Sequence, residues 1–208
     1  MSANIENVVT SGTFSLDGGT WEVDNNVWLV GDDAHVIIID PAHDLEKIAT
    51  AVGDRHVLAV LLTHAHDDHS RQALDAGARF DAPVCLNPAD RVLWDQVHQQ
   101  APDEDIIDGQ TFEVAGTTLQ AIHTPGHSPG STCFYAPDLG VVFSGDTLFN
   151  GGPGATGRSY SDFDTIVDSI RDHLLMLPPE TRVLTGHGDE TSIGDEAPHL
   201  QEWIDRGH

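Results

Sequence analysis

Four side chains able to ligate a metal fall within six positions of the stretch THAHDDH: His64, His66, Asp68 and His69. They follow directly on the apolar run VLAVLL, Val57 to Leu62, whose unbroken hydrophobicity suits a strand covered on both faces. Imidazole nitrogen and carboxylate oxygen are the donors that a borderline cation such as zinc takes. Packing so many polar groups at the mouth of a buried strand without a cation would strand charge and unsatisfied polarity. Similar groups recur where three other strands should end. His123 and His127 lie in AIHTPGHSPGS, Asp146 closes VVFSGD, and His187 follows RVLTG. A histidine in a Gly-rich turn is an ordinary surface residue when met alone. Recurrence at four strand ends is what points to metal-dependent chemistry.

The elements that must position these groups read as alternating clusters of strands and helices. TWEVDNNVWLVGDDAHVIIIDP predicts strand, turn and strand, with Gly31-Asp32-Asp33 at the bend. RQALDAGARF reads as a short helix, PVCLN as a strand, and PADRVLWDQVHQQ as a helix with Val92, Leu93 and Val97 at helical spacing. The acidic PDEDIIDGQ reads as a loop, and TFEVAGTTLQAIHTPG with STCFYAPDLGVVFSGD supplies four more short strands. SDFDTIVDSIRDHLLMLPPE predicts a helix capped by Ser161 or Asp162, apolar along Ile166, Ile170 and Leu174, and stopped by Pro178-Pro179. RVLTGHGD is the last strand, and APHLQEWIDRGH a last helix ended by Gly207. This order suits two packed sheets with helices outside, an α/β layered arrangement in one domain spanning residues 1–208.

Charge narrows the partners. Nine basic residues face 34 acidic ones, a formal net of −25, and Lys47 is the sole lysine. So acidic a chain repels polyanions, which argues against a nucleic-acid backbone as partner. No apolar run approaches bilayer length, and MSANIENVV lacks the basic start and apolar core of a secretory signal. Cys85 and Cys133, far apart in apolar surroundings, fit buried free thiols of a cytoplasmic protein.

In their order, THAHDDH, HTPGHSPGS, GDTLF and GHG resemble the metallo-β-lactamase superfamily over nearly the whole chain. The resemblance implies a four-layer αββα sandwich with its site at one edge of the two sheets. It implies one metal on His64, His66 and His127, a second on Asp68, His69 and His187, and Asp146 bridging them. His123 matches no ligand role, and Asp67 is left to hydrogen-bond nearby. Lactam hydrolases of the superfamily commonly carry a cysteine where this chain has Asp146; an aspartate there resembles the glyoxalase II type. The cofactor so implied is two divalent ions, with zinc favoured by the histidine-rich set and iron or manganese able to use the same donors.

Such a pair lowers the pKa of a shared water, so that a metal-bridging hydroxide can attack a carbonyl. A departing thiolate needs no strong general acid, the reference thiol pKa being about 8.5. The resemblance therefore implies thioester hydrolysis, of a hydroxyacylglutathione-like or S-formylmycothiol-like substrate, with Asp68 binding metal and orienting the nucleophile. TLFNGGPGATGRSYSDFD is expected to wall the pocket, with Arg158 and Tyr160 contacting the substrate. GPGATGRS mimics a phosphate-cradling loop, but Arg158 replaces its lysine and the strand end already belongs to a ligand. Only 21 residues follow His187 (208 − 187), so the helical basic extension with which glyoxalase II enzymes grip glutathione is expected to be missing. GTWEVDNNVWLV and the terminal EWIDRGH resemble an actinobacterial, mycothiol-linked subgroup of short glyoxalase II-like proteins. Rival readings are a lactonase of the same fold, an iron-dependent persulfide dioxygenase, and a zinc-stabilised binding module. Structural zinc sites are closed by four protein ligands. Seven donors disposed for two cations leave room for water.

Overall fold

The computed structural model describes residues 3–207. Its chain opens on a long antiparallel hairpin, β1 (Asn4–Leu16) and β2 (Gly19–Gly31). The turn is Asp17-Gly18, both residues in the left-handed region (φ 52° and 78°), as the favoured two-residue hairpin turns require. β1 was not expected from the sequence, because its Asn-, Ser- and Thr-rich run does not alternate cleanly; only its pairing with β2 makes it a strand.

β3 (His35–Ile39) continues the antiparallel sheet. β4 (His56–Leu61), β5 (Val84–Leu86) and the two-residue edge strand β6 (Glu104–Asp105) then run parallel to β3, giving the order β1-β2-β3-β4-β5-β6. The crossovers carry α1 (Leu45–Val52), α2 (Asp67–Ser70) with α3 (Ala73–Phe80), and α4 (Arg91–Val97). β6 lies in the acidic segment expected to be loop; main-chain pairing to β5 holds it there without help from its side chains.

The second sheet contains β7 (Thr111–Val114), β8 (Thr117–His123), β9 (Thr132–Ala136) and β10 (Val141–Gly145). After the small ribbon β11 (Leu148–Phe149) and β12 (Gly152–Pro153) come α5 (Phe163–Ser169), β13 (Arg182–Thr185), β14 (Thr191–Ser192), α6 (Ile193–Glu196) and α7 (Leu200–Arg206). Its spatial order is β14-β13-β10-β9-β8-β7. Asp162 caps α5 by accepting the Thr165 amide at 2.8 Å, and the helix widens into a π-type turn over Ile170–Leu174. Gly207, left-handed at φ 74°, ends α7.

Alternation along the strands sorts the core into three layers of contact. Val27, Leu29, Val36 and Ile38 face α1, α3 and α4; their neighbours Trp28, Val30, Ile37 and Ile39 meet Phe134, Phe143 and Leu184 between the sheets. Val142, Val183 and Cys133 pack outward under Ile166, Ile170, Leu174 and Trp203. The result is the αββα sandwich. Cys85 and Cys133 are buried and unpaired, and burial pushes their thiols up to about 12 and about 11. Among the described residues no helix is long and apolar enough to cross a membrane.

Candidate metal centre

The chain leaves β4, β8, β10 and β13 at one edge of the sandwich, and all seven candidate ligands lie just past those ends. Main-chain bonds pin the two sheets together there: Thr132 N–H donates to Thr63 O (2.8 Å) and Asn26 N–H to Gly186 O (2.8 Å). Trp28 Nε1–H donates to Thr185 O at 3.0 Å. Gly186 must be glycine, since a Cβ would come within 2.2 Å of Asp146 Oδ1 and 2.8 Å of the His69 ring.

Two clusters form. In one, His64 Nε2 and His127 Nε2 each lie 3.0 Å from His66 Nδ1. In the other, His69 Nε2 lies 3.1 Å from His187 Nε2 and 3.5 Å from Asp68 Oδ2, which is 3.3 Å from His187 Nε2. Asp146 stands between them. Its Oδ1 is 3.3 Å from His69 Nε2, and its Oδ2 is 3.5 Å from His127 Nε2 and 3.4 Å from His187 Nε2. Ligands about 2.0–2.1 Å from one tetrahedral cation stand about 3.3 Å apart, which these separations approach.

The outer hydrogen bonds fix the ring tautomers. His127 Nδ1–H donates to Ala155 O (2.9 Å) and His187 Nδ1–H to Asp24 O (2.7 Å). His69 Nδ1–H donates to Asp40 Oδ2 (3.0 Å). Thr63 Oγ1 gives its own proton to Asp40 Oδ2 (2.6 Å) and so accepts from His64 Nδ1–H (3.0 Å). In their neutral forms all four rings therefore turn an Nε2 lone pair inward. His64 and His127 both aim lone pairs at His66 Nδ1, which can donate at most one proton. Buried Asp146 Oδ1 accepts no hydrogen bond among the described residues. Cations answer both deficits, and the donor set suits a binuclear metal site.

Electrostatics separate the two clusters. Burial, helped by the neighbouring rings, holds His64 well below the ordinary histidine range and His66 down to about 3, so both are neutral ligands at physiological pH. Burial works against charge on His69 and His187 as well. The Asp68 and Asp146 carboxylates overcome it, raising His69 well above the ordinary value and His187 to about 10. Those carboxylates are correspondingly depressed by His69 and His187 despite their own burial. The two carboxylates thus favour positive charge at the second cluster.

The family profile for the metallo-β-lactamase superfamily matches residues 20–187, which contain every one of these groups. The chain belongs to that superfamily. It is 32% identical to hydroxyacylglutathione hydrolase GloC of Haemophilus influenzae, over 79% of this chain and 85% of that one. Among solved structures it is similar to the BLEG-1 B3 metallo-β-lactamase (TM-score 0.78, 30% identity, covering 92% of this chain and 98% of the other). It is also similar to TTHA1623 in a di-iron-bound form (TM-score 0.75, 35% identity, 84% and 93% covered). The protein is thus a superfamily hydrolase with a candidate metal site.

A cleft of about 230 Å³ opens over the clusters, reached by His66, Asp68, His127, Asp146 and His187 and walled by Phe14, Val23, Phe149, Ala155 and Arg158. Arg158 lies over the rings of Trp21 (4.1 Å) and Phe14 (4.9 Å). Among the described residues its guanidinium makes no ion pair, and Asp162, four positions further on, is engaged as the cap of α5. Tyr160 does not line the cleft. It sits at φ 71° and is 49% exposed, facing solvent from the loop on which Arg158 faces the site. His123 is likewise outside, bonded to Pro129 O at 2.9 Å. Asp67 accepts the Ser15 amide at 2.9 Å and pairs with Arg71, so it ties the β1–β2 hairpin to α2.

Four residues of the site had no signal strong enough to single them out. Asp40, buried at the end of β3 with φ 52°, orients His69 directly and His64 through Thr63. Asp90 accepts Ala65 N–H (2.8 Å), Ser128 Oγ–H (2.8 Å) and Gly130 N–H, joining the loops that carry His64, His66 and His127. Asn25 donates to Asp68 Oδ2, and His43 contacts Asn25. The one hint was position: Asp40 ends an apolar strand immediately before a proline.

Proposed function

We propose that the protein is a binuclear hydrolase that cleaves a thioester. His64, His66 and His127 hold one divalent cation, Asp68, His69 and His187 hold the other, and Asp146 is shared. The observation that carries this reading is the convergence of seven donors from four strand ends, with Asp146 facing both clusters. The histidine-rich set favours zinc, and the di-iron form of a similar protein keeps iron within the same reading. When bound, the cation pair acidifies a water to serve as nucleophile and polarises the scissile carbonyl.

The chain's residues supply the rest. Asp68 lines the cleft, where a carboxylate oxygen can accept a proton from the attacking water and orient it. The cleft-lining residues offer no lysine, tyrosine, cysteine or serine, and every titratable group besides Arg158 is one of the seven donors. A leaving group that must be protonated, such as an amine, has no acid here apart from the proton that Asp68 would take from the water. A thiolate leaves without one. The aspartate at 146 and the similarity to GloC point the same way.

Arg158, held over Trp21 and Phe14 at the cleft wall, offers a guanidinium to a carboxylate on the substrate. One such cation in a chain of net charge −25 favours a carrier of low negative charge over a polyanion. The test is a hydrolysis panel of thioesters, lactones and a cephalosporin on protein of known metal content. Thioester turnover should dominate and vanish on chelation. Thioester hydrolysis that survives exhaustive chelation, or a clear preference for lactones, would overturn the reading.

A further inference from the structure

Asp68 Oδ2, the oxygen that converges with His69 and His187, also accepts a hydrogen bond from Asn25 Nδ2 at 3.0 Å, both side chains being buried. A carboxylate only accepts, so the Asn25 amide must turn its NH2 toward Asp68 and its oxygen the other way. That oxygen, Oδ1, lies 2.8 Å from His43 Nε2, which must therefore carry the proton. The chain of constraint runs His43 Nε2–H to Asn25 Oδ1, then Asn25 Nδ2–H to Asp68 Oδ2. It leaves one amide orientation and one ring tautomer.

His43 is itself held in a demanding place. It is half-buried and left-handed at φ 52°. Its ring lies against Gly12 of β1, where a Cβ would come within 2.2 Å of Nδ1 and 2.5 Å of Cγ. A glycine in mid-strand marks a close approach, and the group approaching is this imidazole. Burial lowers the proton affinity of the ring, so the bond to Asn25 comes from a neutral Nε2–H.

We propose that His43 and Asn25 are a positioning pair that fixes the Asp68 carboxylate toward the second cluster and leaves its other oxygen for the cleft. The inference rests on the two-cation reading of the site and adds to it two residues from β2 and the β3–α1 turn that touch neither cation nor substrate. With Oδ2 pinned, Asp68 can hold a cation and still orient a nucleophile; with Asn25 gone, both tasks fall to a carboxylate free to rotate.

The experiment titrates Zn2+ alone into chelated protein, in competition with a chromogenic chelator, alongside kcat and KM for one thioester. Asn25→Leu keeps volume and removes the donor, while His43→Phe keeps a ring against Gly12 and removes the proton. His43→Gln restores a donor. Asn25→Leu should weaken the second equivalent about 10- to 100-fold, leave the first within about twofold, and lower kcat with little change in KM. His43→Phe should do the same more mildly, and His43→Gln should recover most of the loss. Gly12→Ala, which displaces the ring while keeping both residues of the pair, should mimic His43→Phe.

Equal weakening of both equivalents, or identical behaviour of His43→Phe and His43→Gln, would overturn the inference. Because the titration needs no substrate, selective loss of the second equivalent upholds the pair even if no thioester is turned over. A wild-type protein that takes up only one equivalent would end the two-cation reading and this inference together.

Discussion

The residues of the site divide sharply into those the sequence announces and those it hides. His64, His66, Asp68 and His69 crowd one short loop, so their density is itself the signal. Asp40 is a single polar residue after an apolar run, Asn25 lies between Asp24 and Asn26 in a strand, and their partners lie 23 and 43 positions away. Nothing local reveals such a bond; only the packing of β2, β3 and β4 does. Asp146 carries the prediction that belongs to this scale. Asp146→Ala removes the group facing both clusters and leaves His69 and His187 without a main counter-charge. Bound metal should fall from two equivalents toward one, and kcat/KM by at least about 100-fold, as elemental analysis and steady-state kinetics would record. Retention of both metals would contradict a shared role. Arg158→Ala should instead raise KM about tenfold for a carboxylate-bearing thioester, leave an uncharged analogue nearly unchanged, and spare metal content. Equal effects on the two substrates would remove Arg158 from substrate recognition.

Elements were legible where their pattern was self-contained. The apolar HVIIID and VLAVLL and the capped SDFDTIV segment all appear in the expected places, because an apolar β-branched run and a carboxylate cap are encoded within a few residues. β1 and β6 were not, since each is a strand by virtue of its neighbour. The loops between elements pose the harder problem, for they must stay rigid without regular hydrogen bonding. Asp90, at the entry to α4, does this for two of them by bonding Ala65, Ser128 and Gly130. Burial raises the pKa of its carboxyl, yet three donors compensate the charge. Asp90→Ala leaves those donors unsatisfied in the interior and should cost about 2–4 kcal/mol in denaturant unfolding. Because the freed loops carry His64, His66 and His127, the first metal equivalent should weaken more than the second. An unfolding midpoint within experimental error of the parent would show the loops to be held by other contacts.

At the scale of the whole molecule, the two sheets bring charges together that would not otherwise share a buried edge, and the stability of the chelated protein must register this. His69 and His187 have folded pKa values above the unfolded value of 6.5, His187 at about 10. The His187 contribution is fully present below pH 6.5 and is lost as pH rises through about 10, and His69 acts in the same sense. Asp68 and Asp146 are depressed below 3.8, so their contribution is present above that value and disappears only in strong acid. His64 and His66 act in the opposite sense to His187. Neutral when folded and charged when unfolded below pH 6.5, they make stability climb as pH rises toward that value. The melting temperature of chelated protein should therefore peak near pH 6.5 and decline toward pH 10. A cation held by His69 and His187 would compete with protons there, so the metal-loaded protein should hold its melting temperature across the alkaline half of that range, and metal affinity should rise with pH. Thermal scans of both forms at constant ionic strength would decide it. A chelated protein equally stable at pH 7 and pH 10 would mean that protons do not occupy the second cluster when metal is absent.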